Sequence, residues 1–221
     1  MKKNLSARGL YAITDGPRTD LIDAAAAALR GGAALLQYRD KTGDAARRLD
    51  EATRLVELGR RHGVPVIVND DVELARACGA AGVHLGEHDG AIAAARAVLG
   101  PDAIVGASCY DSIERARELA AVGADYLAFG AFYPSPTKPG ARRASIELLQ
   151  AARPFRLPLV AIGGITPGHA AALIAAGADF VAVISGVFGA SDPDAAARAY
   201  VGAIANGLSL RRPSQTTDVE N

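Results

Sequence analysis

The chain carries no net charge and no long apolar run, and both absences exclude classes of function. Lysine and arginine together number 24, and aspartate and glutamate also number 24. There is no overall positive field to attract nucleic acid or an anionic membrane, so any anion must be bound by a local cluster. No apolar stretch reaches the roughly 20 residues that a membrane-spanning helix requires. Because no apolar segment follows Met1 to Ser6, we find no secretory signal and expect a cytoplasmic protein.

Cysteines and aromatic residues are also few. The two cysteines, Cys78 and Cys109, fit no close-spaced metal or redox motif, so we expect reduced, structural thiols. Aromatic residues make up 5% of the chain, whereas apolar residues make up 50%. The apolar excess falls on alanine, valine, leucine and isoleucine, which is typical of a buried sheet surrounded by alanine-rich helices.

Short apolar segments that end in polar or glycine-rich residues alternate with stretches of helical spacing. They lack a sustained apolar-polar alternation, as expected of strands covered on both faces. The predicted strands are Leu10 to Thr14, Ala34 to Tyr38, Pro65 to Asn69, Gly82 to Leu85, Ile104 to Ala107, Tyr126 to Gly130, Leu159 to Ile162 and Phe180 to Ile184. This pattern predicts a single-domain (β/α)8 TIM barrel over residues 9–206, with an N-terminal extension at 1–8 and a disordered tail at 207–221. A doubly wound sheet would also alternate, but no Gly-x-Gly-x-x-Gly follows the first strand.

A glycine stands shortly before several of these strands. The repeats are Arg30-Gly31-Gly32-Ala33, Ala77-Cys78-Gly79-Ala80, Val122-Gly123-Ala124-Asp125 and Ala176-Gly177-Ala178-Asp179. A glycine at such a position can end a helix in the left-handed conformation and turn the chain back beneath the sheet. We therefore assign these repeats to the face of the barrel opposite the active site.

The second predicted strand ends in charged residues. Arg39 and Lys41 follow it at alternate positions, so both side chains point the same way if the chain stays extended. Two cations beside a pocket are suited to a phosphate or a diphosphate. The alternative is a solvent-exposed loop in which these cations pair with Asp40.

Carboxylates follow the third and fourth predicted strands. Either Asp70 or Asp71 could cap the next helix, which leaves the other free, and Asp89 could cap the helix after that. Carboxylates from neighbouring strands, facing diphosphate oxygens, suit a Mg²⁺ site in which the protein supplies one or two ligands and phosphate supplies others. His84 and His88 lack the order and the helical setting of a zinc motif.

A proline-rich segment from Phe132 to Gly140 follows the sixth predicted strand. Its prolines stiffen it, and it is long enough to reach over the mouth of a barrel. The hydroxyls of Ser135 and Thr137 beside the ammonium of Lys138 are typical of a phosphate contact. A rigid surface loop without a ligand is the alternative.

Glycine and serine follow the last two predicted strands. Gly163 and Gly164 follow the seventh, and Ile184 and Ser185 end the eighth. Barrels often bind phosphate between these two loops, where glycine lets backbone amides approach. With the charges described above, this predicts two anion sites in one pocket. No serine or cysteine has an adjacent histidine base, so the residues favour displacement of diphosphate by a phosphate-bearing partner.

In their order and spacing these motifs resemble the thiamine-phosphate synthase family, from about Leu10 to Ile204. The matching segments are Gln37-Tyr38-Arg39-Asp40-Lys41, Val68-Asn69-Asp70-Asp71, Gly82-Val83-His84-Leu85-Gly86 with Asp89, Tyr133-Pro134-Ser135-Pro136-Thr137-Lys138 and Ile162-Gly163-Gly164-Ile165. The resemblance implies a (β/α)8 transferase that joins 4-amino-2-methyl-5-(diphosphooxymethyl)pyrimidine to 4-methyl-5-(2-phosphoethyl)thiazole, or to its carboxylated form. The products would be thiamine phosphate and diphosphate.

The resemblance also implies residue roles. Arg39, Lys41 and Lys138 would be catalytic, and Asp70 and Asp89 would hold Mg²⁺. Substrate contacts would come from Gln37, Tyr38, Arg39, Asp40, Lys41, Asn69, Ser108, Ser135, Pro136, Thr137, Lys138, Gly164, Ile184 and Ser185. The family's mechanism is dissociative: diphosphate leaves, the pyrimidine amino group stabilises the methylene cation, and the thiazole nitrogen captures that cation. No strong base is needed.

The chain departs from the family pattern at Ser135, where many members have threonine, and at Ala131, where proline is common. Neither departure removes a charged group. Two alternatives remain open: a thiazole tautomerase-like barrel, which would not need the charged cluster, and a phosphate-binding regulatory barrel without catalytic activity. The expected partners are small molecules, without nucleic acid or membrane, and the sequence leaves the oligomeric state open.

Overall fold

Eight parallel strands form a closed barrel in a computed structural model that describes residue 5, residues 8–134 and residues 142–211. Each strand pairs with the next along the chain, and β8 pairs with β1 to close the sheet. The strands are β1 (Gly9–Ile13), β2 (Leu35–Tyr38), β3 (Val66–Asn69), β4 (Gly82–Leu85), β5 (Ile104–Tyr110), β6 (Tyr126–Phe129), β7 (Leu159–Ile162) and β8 (Phe180–Val183). The predicted (β/α)8 barrel is confirmed.

Helices follow the strands and cover the outside of the barrel. They are α1 (Leu21–Arg30), α2 (Ala45–His62), α3 (Val72–Ala77), α4 (Ile92–Leu99), α5 (Ile113–Ala121), α6 (Ile146–Ala152), α7 (Pro167–Ala176), α8 (Ser185–Phe188) and α9 (Pro193–Leu210), with a 3₁₀ turn at Arg153–Phe155. Among the described residues, no helix is both long enough and apolar enough to cross a membrane.

Predicted strand positions agree with the structure to within a residue at most ends. β4 and β7 have the predicted bounds. β5 differs most, because it continues to Tyr110 rather than ending at Ala107, and its pairing with β6 shifts register between Ser108 and Tyr110. This extension carries Ser108 to the open end of the barrel.

Alternate residues of each strand point to opposite sides of the sheet, as the two-residue period of a strand requires. One apolar cluster fills the barrel interior and includes Tyr11, Leu35, Tyr126 and Phe180. The larger cluster lies between the sheet and the helices. The uninterrupted apolar strands of the sequence are thus explained, because both faces of every strand are covered.

The glycine repeats lie beneath the sheet, as predicted. Gly32, Gly79, Gly123 and Gly177 have φ values of 98°, 65°, 92° and 133°, a region that favours glycine. The aspartate that ends the last repeat, Asp179, accepts the backbone N–H of Leu159 at 3.0 Å. These repeats therefore stabilise the barrel on the face away from its open end.

The last helix is longer than the sequence predicted. α9 ends at Leu210, so the predicted boundary between a barrel ending at 206 and a disordered tail is wrong for the last turn of this helix. Gly207 explains the difference, because a Cβ atom there would lie 2.6 Å from the carbonyl oxygen of Ala171 in α7. The close approach buries Gly207 against α7 and keeps the chain helical. Residues 212–221 lie outside the described residues.

Candidate active site

A cavity of about 600 Å³ opens at the carboxyl ends of the strands. All eight strands contribute to its lining, and apolar walls come from side chains such as Ile13, Val160 and Ile162. The predicted site residues that line it are Gln37, Arg39, Lys41, Asn69, Asp70, Asp89, Ser108 and Ile184. Residues that are far apart in sequence thus meet around one pocket, as expected at this face of a parallel barrel.

Successive side chains at the end of β2 point to opposite sides of the sheet. Gln37, Arg39 and Lys41 line the cavity, and the alternate spacing of Arg39 and Lys41 predicted this for those two residues. Tyr38 points the other way, into the layer between sheet and helices, where its hydroxyl donates to Glu51 Oε2 at 2.7 Å. The predicted contact between the Tyr38 side chain and substrate is therefore wrong.

Asp40 also points toward α2. Its side chain is 1% exposed and lies 2.7 Å from Arg47 Nη1, and the backbone N–H of Thr42 donates to its Oδ1 at 2.7 Å. Burial acts to raise the pKa of Asp40, but the Thr42 amide and the Arg47 guanidinium outweigh burial and hold this pKa below its ordinary value. Asp40 anchors the strand end to α2, which corrects its predicted role as a substrate contact.

Asp70 and Asp71 divide two roles between them. Asp71 is the N-cap of α3 and accepts the backbone N–H of Leu74 at 2.9 Å, while it also pairs with Arg48 at 2.9 Å. Asp70 lines the cavity with a φ of 63°, in the left-handed region that aspartate enters more readily than most residues. The prediction that one of the two caps the helix and leaves the other free is confirmed.

Asp70 and Asp89 form a close pair of carboxylates beside Lys41. Asp70 Oδ2 lies 3.1 Å from Lys41 Nζ. Burial raises the pKa of Asp70, and contact with Asp89 raises it further, while Lys41 acts in the opposite direction. The N-cap of α4 is Ala91, so Asp89 does not cap that helix. It instead accepts the backbone N–H of Gly86 at 2.8 Å, which holds its carboxylate at the cavity.

A chain of hydrogen bonds crosses the barrel beneath this charged rim. Gln37 Nε2 donates to the Tyr11 hydroxyl at 2.6 Å, and that hydroxyl lies 2.9 Å from the hydroxyl of Tyr126. His84 continues the chain, with Nδ1 2.9 Å from the Tyr126 hydroxyl and Nε2 2.9 Å from Ser108 Oγ. The chain therefore links two predicted substrate contacts, Gln37 and Ser108, through the barrel interior.

A second cavity of about 280 Å³ adjoins the first at the ends of β7 and β8. Gly163, Gly164 and Ser185 line it, and Ile184 lines both cavities. Gly164 has a φ of 60°, and a Cβ atom there would lie 2.2 Å from the carbonyl oxygen of Pro134. Only glycine allows the two loops to approach this closely, and it leaves the backbone accessible to a small anion.

The predicted loop contacts Ser135, Pro136, Thr137 and Lys138 lie outside the described residues. The chain enters this segment through Tyr133 and Pro134, and the Tyr133 ring stacks on His169 with centroids 3.7 Å apart. The roles predicted for the four residues stay predictions.

The described ranges 8–134 and 142–211 give no support to a zinc site or a redox site. Within them, no three histidine, cysteine, aspartate or glutamate side chains form a cluster that could hold a metal by themselves. Cys78 and Cys109 are free and buried, which confirms them as structural thiols. Any metal at Asp70 and Asp89 would need further ligands from a substrate or from water.

The family model described as thiamine monophosphate synthase matches residues 10–187. The chain belongs to the thiamine monophosphate synthase family. The chain is therefore related to enzymes of the same barrel fold. The resemblance to this family that the sequence motifs indicated is confirmed.

Curated members of this family are similar over most of their length. The thiamine-phosphate synthase of Chromobacterium violaceum is 57% identical over 196 residues, which cover 88% of this chain and 95% of that protein. The thiamine-phosphate synthase of Xanthomonas campestris pv. campestris is 55% identical with the same coverage. Among solved structures, a thiamine phosphate pyrophosphorylase from Pyrococcus furiosus is 34% identical with a TM-score of 0.82, and the match covers 90% of this chain and 96% of that one.

Several lining residues of this thiamine monophosphate synthase family member were missed from the sequence. Arg142 lines the cavity, where its guanidinium lies 4.5 Å from the centre of the Tyr110 ring and 2.9 Å from Glu87. Tyr11 and His84 line the cavity as well. The alternation within β1 and β4 is the signal that would have placed Tyr11 and His84 inside the barrel. No comparable signal exists for Arg142, which belongs to no strand.

Proposed function

We propose that this protein is a thiamine-phosphate synthase that joins the pyrimidine diphosphate named above to the thiazole phosphate, in its plain or carboxylated form, and releases diphosphate. The observation that carries the proposal is the convergence of Arg39, Lys41, Asp70 and Asp89 on one end of a single cavity. Curated relatives that are 55% to 57% identical carry the same name and support it.

In the proposed reaction, Arg39 and Lys41 bind the diphosphate and stabilise the negative charge that grows on it as the carbon–oxygen bond breaks. Guanidinium and ammonium groups that are already in place for a developing charge lower the barrier more than they tighten binding. Lys138 is proposed as a third cation, by the family resemblance alone. No side chain has to remove a proton from carbon in this reaction. His84 Nε2 does lie 2.9 Å from Ser108 Oγ, which corrects the expectation from the sequence that no serine has a histidine base beside it.

Mg²⁺ fits the pair of carboxylates at the rim. Asp70 and Asp89 are the hard oxygen ligands that this ion prefers, and two carboxylates with phosphate oxygens and water are its usual set. Burial raises the pKa of Asp70 and the neighbouring Asp89 raises it further, and a cation between the two carboxylates would relieve their mutual repulsion. When bound, Mg²⁺ would neutralise charge on the departing diphosphate. We propose Asp70 and Asp89 as its protein ligands.

The remaining contacts belong to the two organic substrates. Gln37, Asn69 and Ser108 are proposed to bind the pyrimidine, because they line the same cavity below the charged rim. Gly164 and Ser185 are proposed to bind the thiazole phosphate in the adjoining cavity. The two cavities share Ile184, so both substrates would meet at one wall.

Diphosphate release from purified protein tests the proposal. With both substrates and Mg²⁺, we expect diphosphate and thiamine phosphate in equal amounts, and no thiamine phosphate when either substrate is omitted. A thiazole tautomerase would instead rearrange a thiazole alone, and a regulatory barrel would bind ligands without turnover. Either result would overturn the proposal.

Substitutions at adjacent aspartates separate catalysis from folding. Asp70→Asn and Asp89→Asn should each lower turnover by about 100-fold or more, by analogy with the loss of a transition-state stabiliser. Asp71→Asn is the matched control: Asp71 caps α3 outside the cavity, and asparagine caps a helix about as well as aspartate. The variant should therefore lose only the charge of its Arg48 pair, keep its fold and leave turnover nearly unchanged. Unchanged Mg²⁺ dependence in both cavity variants would refute the metal assignment.

A further inference from the structure

The hydrogen-bond chain from Gln37 to Ser108 runs through two tyrosines that no predicted role includes. Tyr11 and Tyr126 are 1% and 0% exposed, and their hydroxyls lie 2.9 Å apart although they are 115 positions apart in sequence. The ring of Tyr126 occupies space that exists because residue 106 is glycine: a Cβ atom at Gly106 would lie 1.9 Å from the ring. Such a buried chain is stable only if each member is satisfied.

Each hydroxyl in this chain carries one proton, so the direction of one hydrogen bond fixes the next. Burial raises the pKa of Tyr11 and that of Tyr126 well above the ordinary value, so both remain protonated hydroxyls. The amide nitrogen of Gln37 can only donate, and it donates to Tyr11. The Tyr11 proton is then free for Tyr126.

The same reasoning continues to the cavity. If Tyr126 receives the Tyr11 proton, its own proton goes to His84 Nδ1, and the proton of the neutral imidazole lies on Nε2. His84 Nε2 then donates to Ser108 Oγ. The proton of Ser108 is consequently directed away from His84, toward the cavity that Ser108 lines.

The opposite direction is the other arrangement of the neutral chain in which both tyrosine hydroxyls donate within it. A Gln37 amide turned by 180° would accept from Tyr11, every donor would reverse, and His84 would carry its proton on Nδ1. Ser108 would then donate to His84 and offer only lone pairs to the cavity. The two directions thus present opposite hydrogen-bonding groups to a ligand and predict opposite tautomers of His84.

We propose that Tyr11, Tyr126 and His84 are positioning residues whose hydrogen bonds run from Gln37 to Ser108, so that Ser108 offers a donor and the Gln37 carbonyl an acceptor to the pyrimidine. This inference rests on the proposed function for the identity of the ligand. An aminopyrimidine has ring nitrogens that accept and an exocyclic amino group that donates. In this arrangement Ser108, on β5, offers its donor to a ring nitrogen, and Gln37, on β2, offers its carbonyl to the amino group, whereas the reversed chain would offer the opposite groups.

The tautomer of His84 tests the direction without any substrate. In unliganded protein labelled with ¹⁵N-histidine, the couplings between ring protons and ring nitrogens identify which nitrogen is protonated, and a His84→Gln variant assigns the signal. We expect the proton on Nε2. A proton on Nδ1 would overturn the proposal, whether or not the protein makes thiamine phosphate.

Kinetics test the consequence for the substrate. Tyr126→Phe removes the hydroxyl that holds His84 Nδ1, so we expect KM for the pyrimidine diphosphate to rise about tenfold, the equivalent of one hydrogen bond, with KM for the thiazole phosphate unchanged within about twofold. Tyr11→Phe leaves the Tyr126 hydroxyl in place and should give a smaller rise. Equal changes in both KM values, or none, would overturn the positioning role.

A matched variant accounts for the general cost of losing a buried hydroxyl. Tyr38→Phe also deletes one buried tyrosine hydrogen bond, to Glu51, but on the helix side of the sheet. It should lower the melting temperature to a similar extent and leave both KM values unchanged. If Tyr126→Phe fails to fold, Tyr11→Phe and the His84 tautomer in the unsubstituted protein still decide the question.

Discussion

Asp40→Asn separates the role that the motif predicted for this residue from the role that its contacts indicate. The substitution keeps the shape of the side chain but removes its charge. In the structure, Asp40 Oδ2 lies 2.7 Å from Arg47 Nη1, and Oδ1 accepts the Thr42 amide at 2.7 Å. Because Arg47 also pairs with Glu51 at 3.0 Å, the guanidinium keeps one partner after the substitution.

These contacts set the size of the effect. The substituted amide can still accept the Thr42 N–H, so the loss is that of the buried ion pair with Arg47. Breaking a buried pair costs about 3 to 5 kcal/mol, and the retained Glu51 contact keeps the loss below that range. We therefore expect the free energy of unfolding to fall by about 2 kcal/mol, which lowers Tm by about 4 to 8 °C for a domain of this size. KM for the pyrimidine diphosphate should not change, because Asp40 points away from the cavity.

The pH dependence provides a second check on the same variant. The pKa of Asp40 is lower in the folded protein than in the unfolded chain. Its stabilising contribution is therefore fully present above the unfolded pKa of about 3.9 and is lost as pH falls through the folded pKa. The difference in Tm between wild type and Asp40→Asn should be largest near pH 7 and shrink in acid.

Thermal unfolding and steady-state kinetics together decide the matter. Asp50→Asn is the control, because Asp50 is 65% exposed in its contact with Arg54 and such surface pairs contribute about 0 to 1 kcal/mol. A variant of Asp40 with unchanged Tm and a raised KM would refute the structural role and restore the substrate contact.

Three further predictions concern the interior and the rim. Gly106→Ala places a Cβ atom 1.9 Å from the Tyr126 ring, so we expect a loss of about 1 to 3 kcal/mol or more in urea unfolding; unchanged stability would contradict the packing. Lys41→Ala should raise the barrier to diphosphate release by about 2 to 4 kcal/mol in kcat/KM if Lys41 stabilises the leaving group, and wild-type rates would exclude that role. Burial raises the pKa of Cys109 to about 12, so native protein at pH 8 should resist iodoacetamide until it unfolds, whereas rapid alkylation of Cys109 would count against its burial.

The local sequence pattern was sufficient to predict which side of the sheet a side chain faces, because the two-residue period of a strand decides that direction. The spacing of Arg39 and Lys41 predicted that both would face one side, and both line the cavity. The same period assigns Tyr38 and Asp40 to the other side. They were predicted as substrate contacts because the family motif is contiguous in sequence, although a strand presents only alternate residues to a pocket.

Tertiary packing decided what the local pattern could not. The last turn of α9 depends on the close approach of Gly207 to α7, which no property of the tail indicates. The contact between Tyr11 and Tyr126 exists only after the barrel closes, since 115 positions separate them. The sequence predicted that one of Asp70 and Asp71 caps the helix and that the other is free. Only the backbone geometry decides which residue takes which role.

The central claim is that Asp70 and Asp89 hold Mg²⁺ against a diphosphate. Isothermal titration of diphosphate into the protein, with and without Mg²⁺, tests it most directly in wild type and in a variant that carries both Asp70→Asn and Asp89→Asn. We predict that Mg²⁺ strengthens diphosphate binding to the wild type and that this enhancement disappears in the double variant. A double variant that retains the full Mg²⁺ enhancement would contradict the account.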